Sequence, residues 1–172
     1  MRGVGRMISL DLLRPAYAYG SLLEVPLPEL SGLGIRGIII DIDNTLTEWR
    51  SPLLSDVAAI WLAQAAQEGI RVCLVSNNSP RRAREVADKA GIPFVARAQK
   101  PRRHSFRRAM EIMETTAGQT AVIGDQLFTD ILGGNRMGLL TILVTPISSR
   151  EFFGTRLMRL VEAFFLKLLK LT

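Results

Sequence analysis

Five short apolar runs, separated by stretches of helical periodicity, are what most constrain this chain of 172 residues. They cover residues 35–41, 71–75, 93–96, 120–124 and 139–144. Runs that are nearly apolar throughout, instead of at every second residue, fit strands buried on both faces. The segments between them read as helices. Residues 55–68 place Val57, Ile60, Trp61 and Ala65 at helical spacing and end before Gly69. Residues 80–90 open with Pro80, suited to a first turn, and stop at Gly91. Residues 102–116 and 129–136 supply two more helices, and 151–171 a long final one. Strands and helices that take turns predict an α/β fold: a Rossmann-like parallel sheet of about five strands with helices on both faces. Three parts are expected. Residues 1–34, irregular and rich in proline and glycine, form an N-terminal extension packing on the core, with short helical turns near 9–14 and 27–30. Residues 35–148 form the main domain, and 149–172 a basic amphipathic helix.

Sheets of this kind collect their chemistry where strands end. Four polar clusters fall just there. The first is Asp41-Ile42-Asp43-Asn44-Thr45. Its two carboxylates share one side of the chain if the extended geometry continues. Like charges that close repel unless a cation or proton intervenes, and a hard divalent ion such as Mg2+ is the simplest remedy. The plain alternative is a pair of solvated aspartates capping the next helix. The other clusters are Ser76-Asn77-Asn78, Lys100-Pro101, and Gly124-Asp125-Gln126 with Asp130 five residues past Asp125. Each also has a structural reading. Ser76 could cap the helix entered at Pro80, and Lys100 could be a solvated loop lysine. Asp125 could serve a turn, and Asp130 a helix N-terminus.

Charge narrows the partners. A net charge of +6 favours anionic ones: phosphoesters, anionic lipid surfaces or nucleic acid. Aromatics are few and not interleaved with the basic residues, which speaks against a nucleic-acid stacking platform. The single Cys73 reads as a small buried hydrophobe, and with no intrachain disulfide the chain suits a reducing, cytoplasmic compartment. Arg2 and Arg6 precede no continuous apolar segment, so a secretory signal is not expected, and no apolar run is long enough to span a bilayer. Either Met1 or Met7 could be the initiator. His104, the only histidine, lies on a basic helix and reads as a surface or phosphate-adjacent residue.

The order and spacing of Asp41-x-Asp43-x-Thr45, Ser76, Lys100 and Gly124-Asp125-x4-Asp130 resemble the four motifs of the haloacid dehalogenase phosphohydrolases. The resemblance spans roughly residues 35–144. Asp43-Asn44-Thr45-Leu46 and the run from Gly124 to Arg136 are similar to the small, capless subclass III phosphatases of the YqeG type, relatives of the mitochondrial phosphatidylglycerophosphate phosphatases. The resemblance implies a HAD-like catalytic domain over 35–148 and hydrolysis of a phosphomonoester with Mg2+. Asp41 would be the nucleophile that forms an aspartyl-phosphate. Asp43 would act as acid and base, and Lys100 would neutralise phosphate charge. Asp41, Asp125 and the backbone carbonyl of Asp43 would hold the metal. Ser76 and the Asn77 amide, with Lys100, would bind phosphoryl oxygens. Asp130 would support Lys100 or a metal-bound water, and Thr45 completes the first motif.

The spacing leaves no room for a large cap domain, either between Leu46 and Arg71 or between Asn77 and Gln99. An open site suits a large substrate that brings its own walls, or one covered by an oligomer partner or the N-terminal segment. Trp49, in the short flap after Asp43, would contact the leaving group or simply pack the flap. The final helix carries Phe152, Phe153, Leu157, Leu160, Val161, Phe164, Phe165, Leu168 and Leu169 on one face, and Arg156, Arg159, Lys167 and Lys170 on the other, with Glu162. It reads either as membrane-surface-seeking or as packed on the sheet or at a dimer interface. A second basic group, Arg81, Arg82, Arg84, Arg102, Arg103, Arg107 and Arg108, flanks the expected site. The favoured substrate is a phospholipid headgroup phosphate such as phosphatidylglycerophosphate, met at the inner face of an anionic membrane. The alternatives are a phosphatase for a soluble nucleotide, sugar phosphate, phosphoprotein or nucleic-acid end, or a non-catalytic phosphate-binding scaffold.

Overall fold

A computed structural model describes residues 10–48, 51, 53–148, 161 and 163–168. Trp49 and most of the final helix lie outside these residues. Six parallel strands form one sheet: β1 (Tyr17–Tyr19), β2 (Gly37–Ile40), β3 (Arg71–Val75), β4 (Phe94–Val95), β5 (Thr120–Gly124) and β6 (Leu140–Val144), in the order β1-β6-β5-β2-β3-β4. The described helices include α1 (Leu27–Gly32), α2 (Asp56–Gln67), α3 (Pro80–Ala90), α4 (Arg103–Met113) and α5 (Leu132–Asn135), and residues 161 and 163–168 are helical as well.

Side chains leave each central strand on alternate faces, and both faces are covered. Ile38, Ile40, Leu74 and Ile123 join one core with Trp61 and Ala65 of α2 and Val86 of α3. Ile39, Cys73, Val75 and Val122 join a second with Phe106, Ala109 and Met113 of α4. Burial on both sides is why these strands are apolar at every position.

Three features depart from the sequence expectation. The sixth strand lies in the segment read as irregular: Tyr17, Ala18 and Tyr19 pair with Ile142, Leu143 and Val144 at the sheet's edge. Tyr17 and Ala18 are exposed, so no apolar run announces this strand. In α2, Ser55 caps the helix by accepting from the Ala58 N–H at 3.2 Å. Its buried stripe is Ala58, Trp61, Leu62 and Ala65, whereas Val57 and Ile60 face outward. The helix expected over 129–136 begins instead as one wide π turn, Leu127–Ile131, and continues as the short α5. Close contact shapes this region. A Cβ on Gly133 would meet the Phe106 ring at 2.4 Å, and one on Gly134 would meet Val122 at 2.4 Å.

At the C-terminal end, Phe165 packs on a small cluster of Leu13, Leu132 and Phe128, edge-to-face with Phe128 at 5.4 Å. Its neighbours Val161, Phe164 and Leu168 are exposed. No helix among the described residues is long and apolar enough to cross a membrane.

Candidate active site

The strand order reverses direction between β2 and β5: the chain moves one way from β2 to β3 and the other way to β5 and β6. A crevice at the carboxyl ends is expected at such a switch point. Asp41 follows β2 and Asp125 follows β5, and Ile40 and Ile123 are paired, so the two aspartates emerge side by side. The Asp41 N–H donates to the Ile123 carbonyl at 3.1 Å, fixing where the strand stops.

Past Asp41 the chain does not stay extended. Asn44 adopts a left-handed conformation (φ 64°), which asparagine tolerates better than most residues. The loop closes on itself, with Leu46 and Thr47 N–H groups donating to the Ile42 carbonyl at 3.0 Å and Asn44 N–H to the Thr47 carbonyl at 2.7 Å. In this loop the Asp41 and Asp43 carboxylates pair with different cations, Asp43 still lying close enough to help burial raise the Asp41 pKa. Lys100 Nζ donates to Asp41, and Arg82 Nη2 donates to Asp43 Oδ1 at 3.0 Å.

Lys100 Nζ also donates to Asp130 Oδ1 at 2.7 Å. Asp130 sits on the π turn, and its other oxygen accepts from the Gln126 N–H at 3.3 Å. This placement needs Gly124, because a Cβ there would lie 2.3 Å from the Asp130 carboxyl. Oxygens of Asp41, Asp125 and Asp130 lie within 4.8 Å of one another. Thr45 Oγ1 donates to Asp125 Oδ1 at 3.3 Å. Three buried carboxylates thus face one buried ammonium. Burial, followed by the effect of Asp130, outweighs Lys100 and pushes Asp41 from 3.8 up to about 7. Lys100 is also raised: burial alone would lower it, but Asp130 and Asp41 hold it charged. That surplus of negative charge, on oxygen donors only, fits a hard divalent cation. The Asp43 carboxylate is not part of this cluster, while Asp130 is.

The second cluster sits across the crevice. Ser76 Oγ accepts from the Asn78 N–H at 3.1 Å and does not cap α3, whose N-cap is Ser79. The Asn77 side chain holds the Lys100 backbone, accepting from its N–H at 2.7 Å and donating to its carbonyl at 3.5 Å. His104 is exposed on α4. The structure therefore brings Asp41, Lys100, Asp125 and Asp130 into one cluster, with Asp43, Ser76 and Asn77 around it. Arg82 was not singled out by sequence, being one of seven neighbouring arginines. Its helical register was the available signal: it lies one turn before Val86, which is buried.

A doubly covered parallel sheet with carboxylates, a lysine and a serine at its switch point defines a HAD-type phosphohydrolase. A family model described as haloacid dehalogenase-like hydrolase matches residues 38–98, and a HAD-hydrolase-like model matches residues 97–150. The chain belongs to the haloacid dehalogenase-like hydrolases. Within them it is a phosphatase: it is 42% identical over 150 residues to the probable phosphatase YqeG of Bacillus subtilis, covering 87% of each chain. It is also 29% identical over 177 residues to the chloroplastic phosphatidylglycerophosphate phosphatase 1 of Chlamydomonas reinhardtii, covering 94% of this chain and 66% of that one. Among solved structures, the fold matches the cobalt-bound deoxy-D-mannose-octulosonate 8-phosphate phosphatase of Haemophilus influenzae, with a TM-score of 0.54, 15% identity, and 81% and 92% of the two chains covered.

Proposed function

We propose that the protein hydrolyses phosphomonoesters with Mg2+, through an aspartyl-phosphate formed on Asp41. The observation that carries this reading is the buried cluster in the β2–β5 crevice, in which Asp41, Asp125 and Asp130 outnumber Lys100. Mg2+ would be held by the Asp41 and Asp125 carboxylates and the Asp43 backbone carbonyl, and would supply positive charge against the phosphoryl oxygens. Asp41 attacks phosphorus in line, its new O–P bond forming as the bond to the leaving oxygen breaks. Asp43 gives its proton to that oxygen. In the second step Asp43 takes a proton from water as the water oxygen attacks the same phosphorus. The Asp41–phosphorus bond breaks, releasing inorganic phosphate and restoring the carboxylate.

Lys100 neutralises developing charge, since phosphoryl transfer depends mainly on positioning and electrostatics. Asp130 orients it, and Thr45 orients Asp125. Ser76 Oγ accepts from Asn78, which leaves its hydrogen for a phosphoryl oxygen. Because the Asn77 side chain is engaged with Lys100, its main-chain amide is the group left for phosphate. The test is phosphate release from a panel of lipid, sugar, nucleotide and peptide esters, with and without Mg2+. Asp41→Asn is expected to lose turnover on all of them. Full Mg2+-dependent activity in that variant sinks the mechanism.

The favoured substrate is a lipid headgroup phosphate such as phosphatidylglycerophosphate. Three observations support it. The relatives named phosphatidylglycerophosphate phosphatases are 27–29% identical to this chain. Between Leu46 and β3 the described residues hold α2 alone, so the crevice stays open to a large substrate. A cavity of about 370 Å3 opens beside Thr45, walled by Leu22, Leu46, Val57 and Ile147, and its described lining carries no charge. The exposed Val161, Phe164 and Leu168, with a net charge of +6, fit peripheral contact with an anionic membrane on its cytoplasmic side. A protein that cleaves soluble esters efficiently but ignores phosphatidylglycerophosphate in mixed micelles has a different substrate.

A further inference from the structure

Of the basic residues on α3, one is turned inward toward the crevice. Arg81 and Arg84 of α3 are exposed, whereas the Arg82 side chain is 13% exposed and pairs with an equally shielded Asp43. Its Nη2 spans two acceptors, Asp43 Oδ1 at 3.0 Å and Thr47 Oγ1 at 3.1 Å. Asp43 and Thr47 are the bridged ends of the loop that follows β2, so one nitrogen clasps the loop shut. The Asn78 side-chain amide donates to the other Asp43 oxygen. Both carboxylate oxygens are therefore held, one by Asn78 in the loop before α3 and one by Arg82 in its first turn.

The rest of the guanidinium decides its role. Nε and Nη1 are buried, with no hydrogen-bond partner among the described residues. Burying unpaired donors is costly, and an exposed rotamer would avoid the cost. Shut away from solvent, these nitrogens also offer no fork to a substrate phosphate. What this arginine can do is hold Asp43 and Thr47.

We infer that Arg82 is a positioning residue for the acid step, fixing the Asp43 carboxylate at the angle from which it protonates the leaving oxygen. This rests on the proposed role of Asp43. A positioned acid matters most when the leaving group is basic, and little when it departs readily as an anion. The experiment compares kcat/KM, which reports the step in which the leaving group departs, for p-nitrophenyl phosphate, phenyl phosphate and glycerol 3-phosphate, leaving groups of rising basicity, in wild type, Arg82→Ala, Arg82→Lys and Asp43→Asn. Thermal melting of each variant shows that it is folded, and Arg82→Lys keeps the charge if Arg82→Ala does not fold.

Arg82→Ala is expected to slow the phenyl and glycerol esters about 10- to 100-fold more than the p-nitrophenyl ester. Arg82→Lys is expected to recover part of that loss, having charge and donors but no fork. Equal losses across the series in Arg82→Ala, or none, overturn the inference while leaving the acid role of Asp43 intact. An Asp43→Asn variant that shows no dependence on leaving group overturns the acid role itself, and the inference with it.

Discussion

Replacing Asp41 with asparagine is expected to stabilise the metal-free protein while abolishing its chemistry. Burial and Asp130 push the Asp41 carboxyl from 3.8 up to about 7. The folded state therefore holds this proton more tightly than the unfolded chain does, and the sign follows. The stability is complete below about 3.8 and is lost as pH rises through about 7. Ionising this carboxyl in place costs up to about 4 kcal/mol by that difference, and roughly 2 kcal/mol if local relaxation admits water. Asparagine has nearly the same shape and never ionises. The gap in stability between Asp41→Asn and wild type should open above about pH 4 and reach its full size above about pH 7. In a chain of this size, 2–4 kcal/mol corresponds to a melting temperature higher by roughly 5–15 °C. The assay is thermal unfolding of both proteins in chelator, from pH 4 to pH 8. Saturating Mg2+ should then narrow the gap, because it stabilises the wild type through the carboxylate that the variant lacks. A variant no more stable than wild type at pH 8, or a gap that does not change with pH, refutes the reasoning.

Three other outcomes follow from the same geometry. Gly124→Ala would push the Asp130 carboxyl off the end of β5, so turnover should fall at least about 10-fold with Mg2+ still bound, as read by steady-state kinetics and calorimetry. Lys100→Met removes the one ammonium among three buried carboxylates. It should cost about 3–5 kcal/mol of metal-free stability in denaturant unfolding at pH 8, and less at pH 5, where Asp41 is largely protonated. Cys73, buried in the second core, has its thiol pushed up to about 12 by burial, so a thiol reagent at pH 8 should modify it only as fast as the protein unfolds.

Much of this architecture was legible in the sequence. The strands buried on both faces, β2, β3, β5 and β6, announce themselves as apolar runs, and Gly91 ends α3 in the left-handed conformation expected of a terminal glycine. The polar clusters lay past strand ends because a parallel sheet puts them there. What was hidden depends on contacts between distant segments. β1 is three residues long and exposed, and only its pairing with β6 makes it a strand. Val57 and Ile60 fit a helical stripe as well as Ala58 and Leu62 do, and packing around Trp61 chose the latter. That Asp41 and Asp43 pair with different cations follows from the strand ending at Ile40 and from α3 bringing Arg82 to Asp43, which the strand pattern did not foretell. Only its place one turn before Val86 set Arg82 apart from Arg81 and Arg84, and its pairing with Asp43 appears once α3 is docked on the crevice.

The central claim is that Asp41 carries the phosphoryl group. Its most direct test is rapid acid quench of the enzyme turning over a 32P-labelled phosphomonoester with Mg2+, followed by peptide mapping. The account predicts hydroxylamine-labile label on the peptide containing Asp41, and none in Asp41→Asn. Hydrolysis at an undiminished rate in Asp41→Asn, or label mapped to another residue, would contradict it.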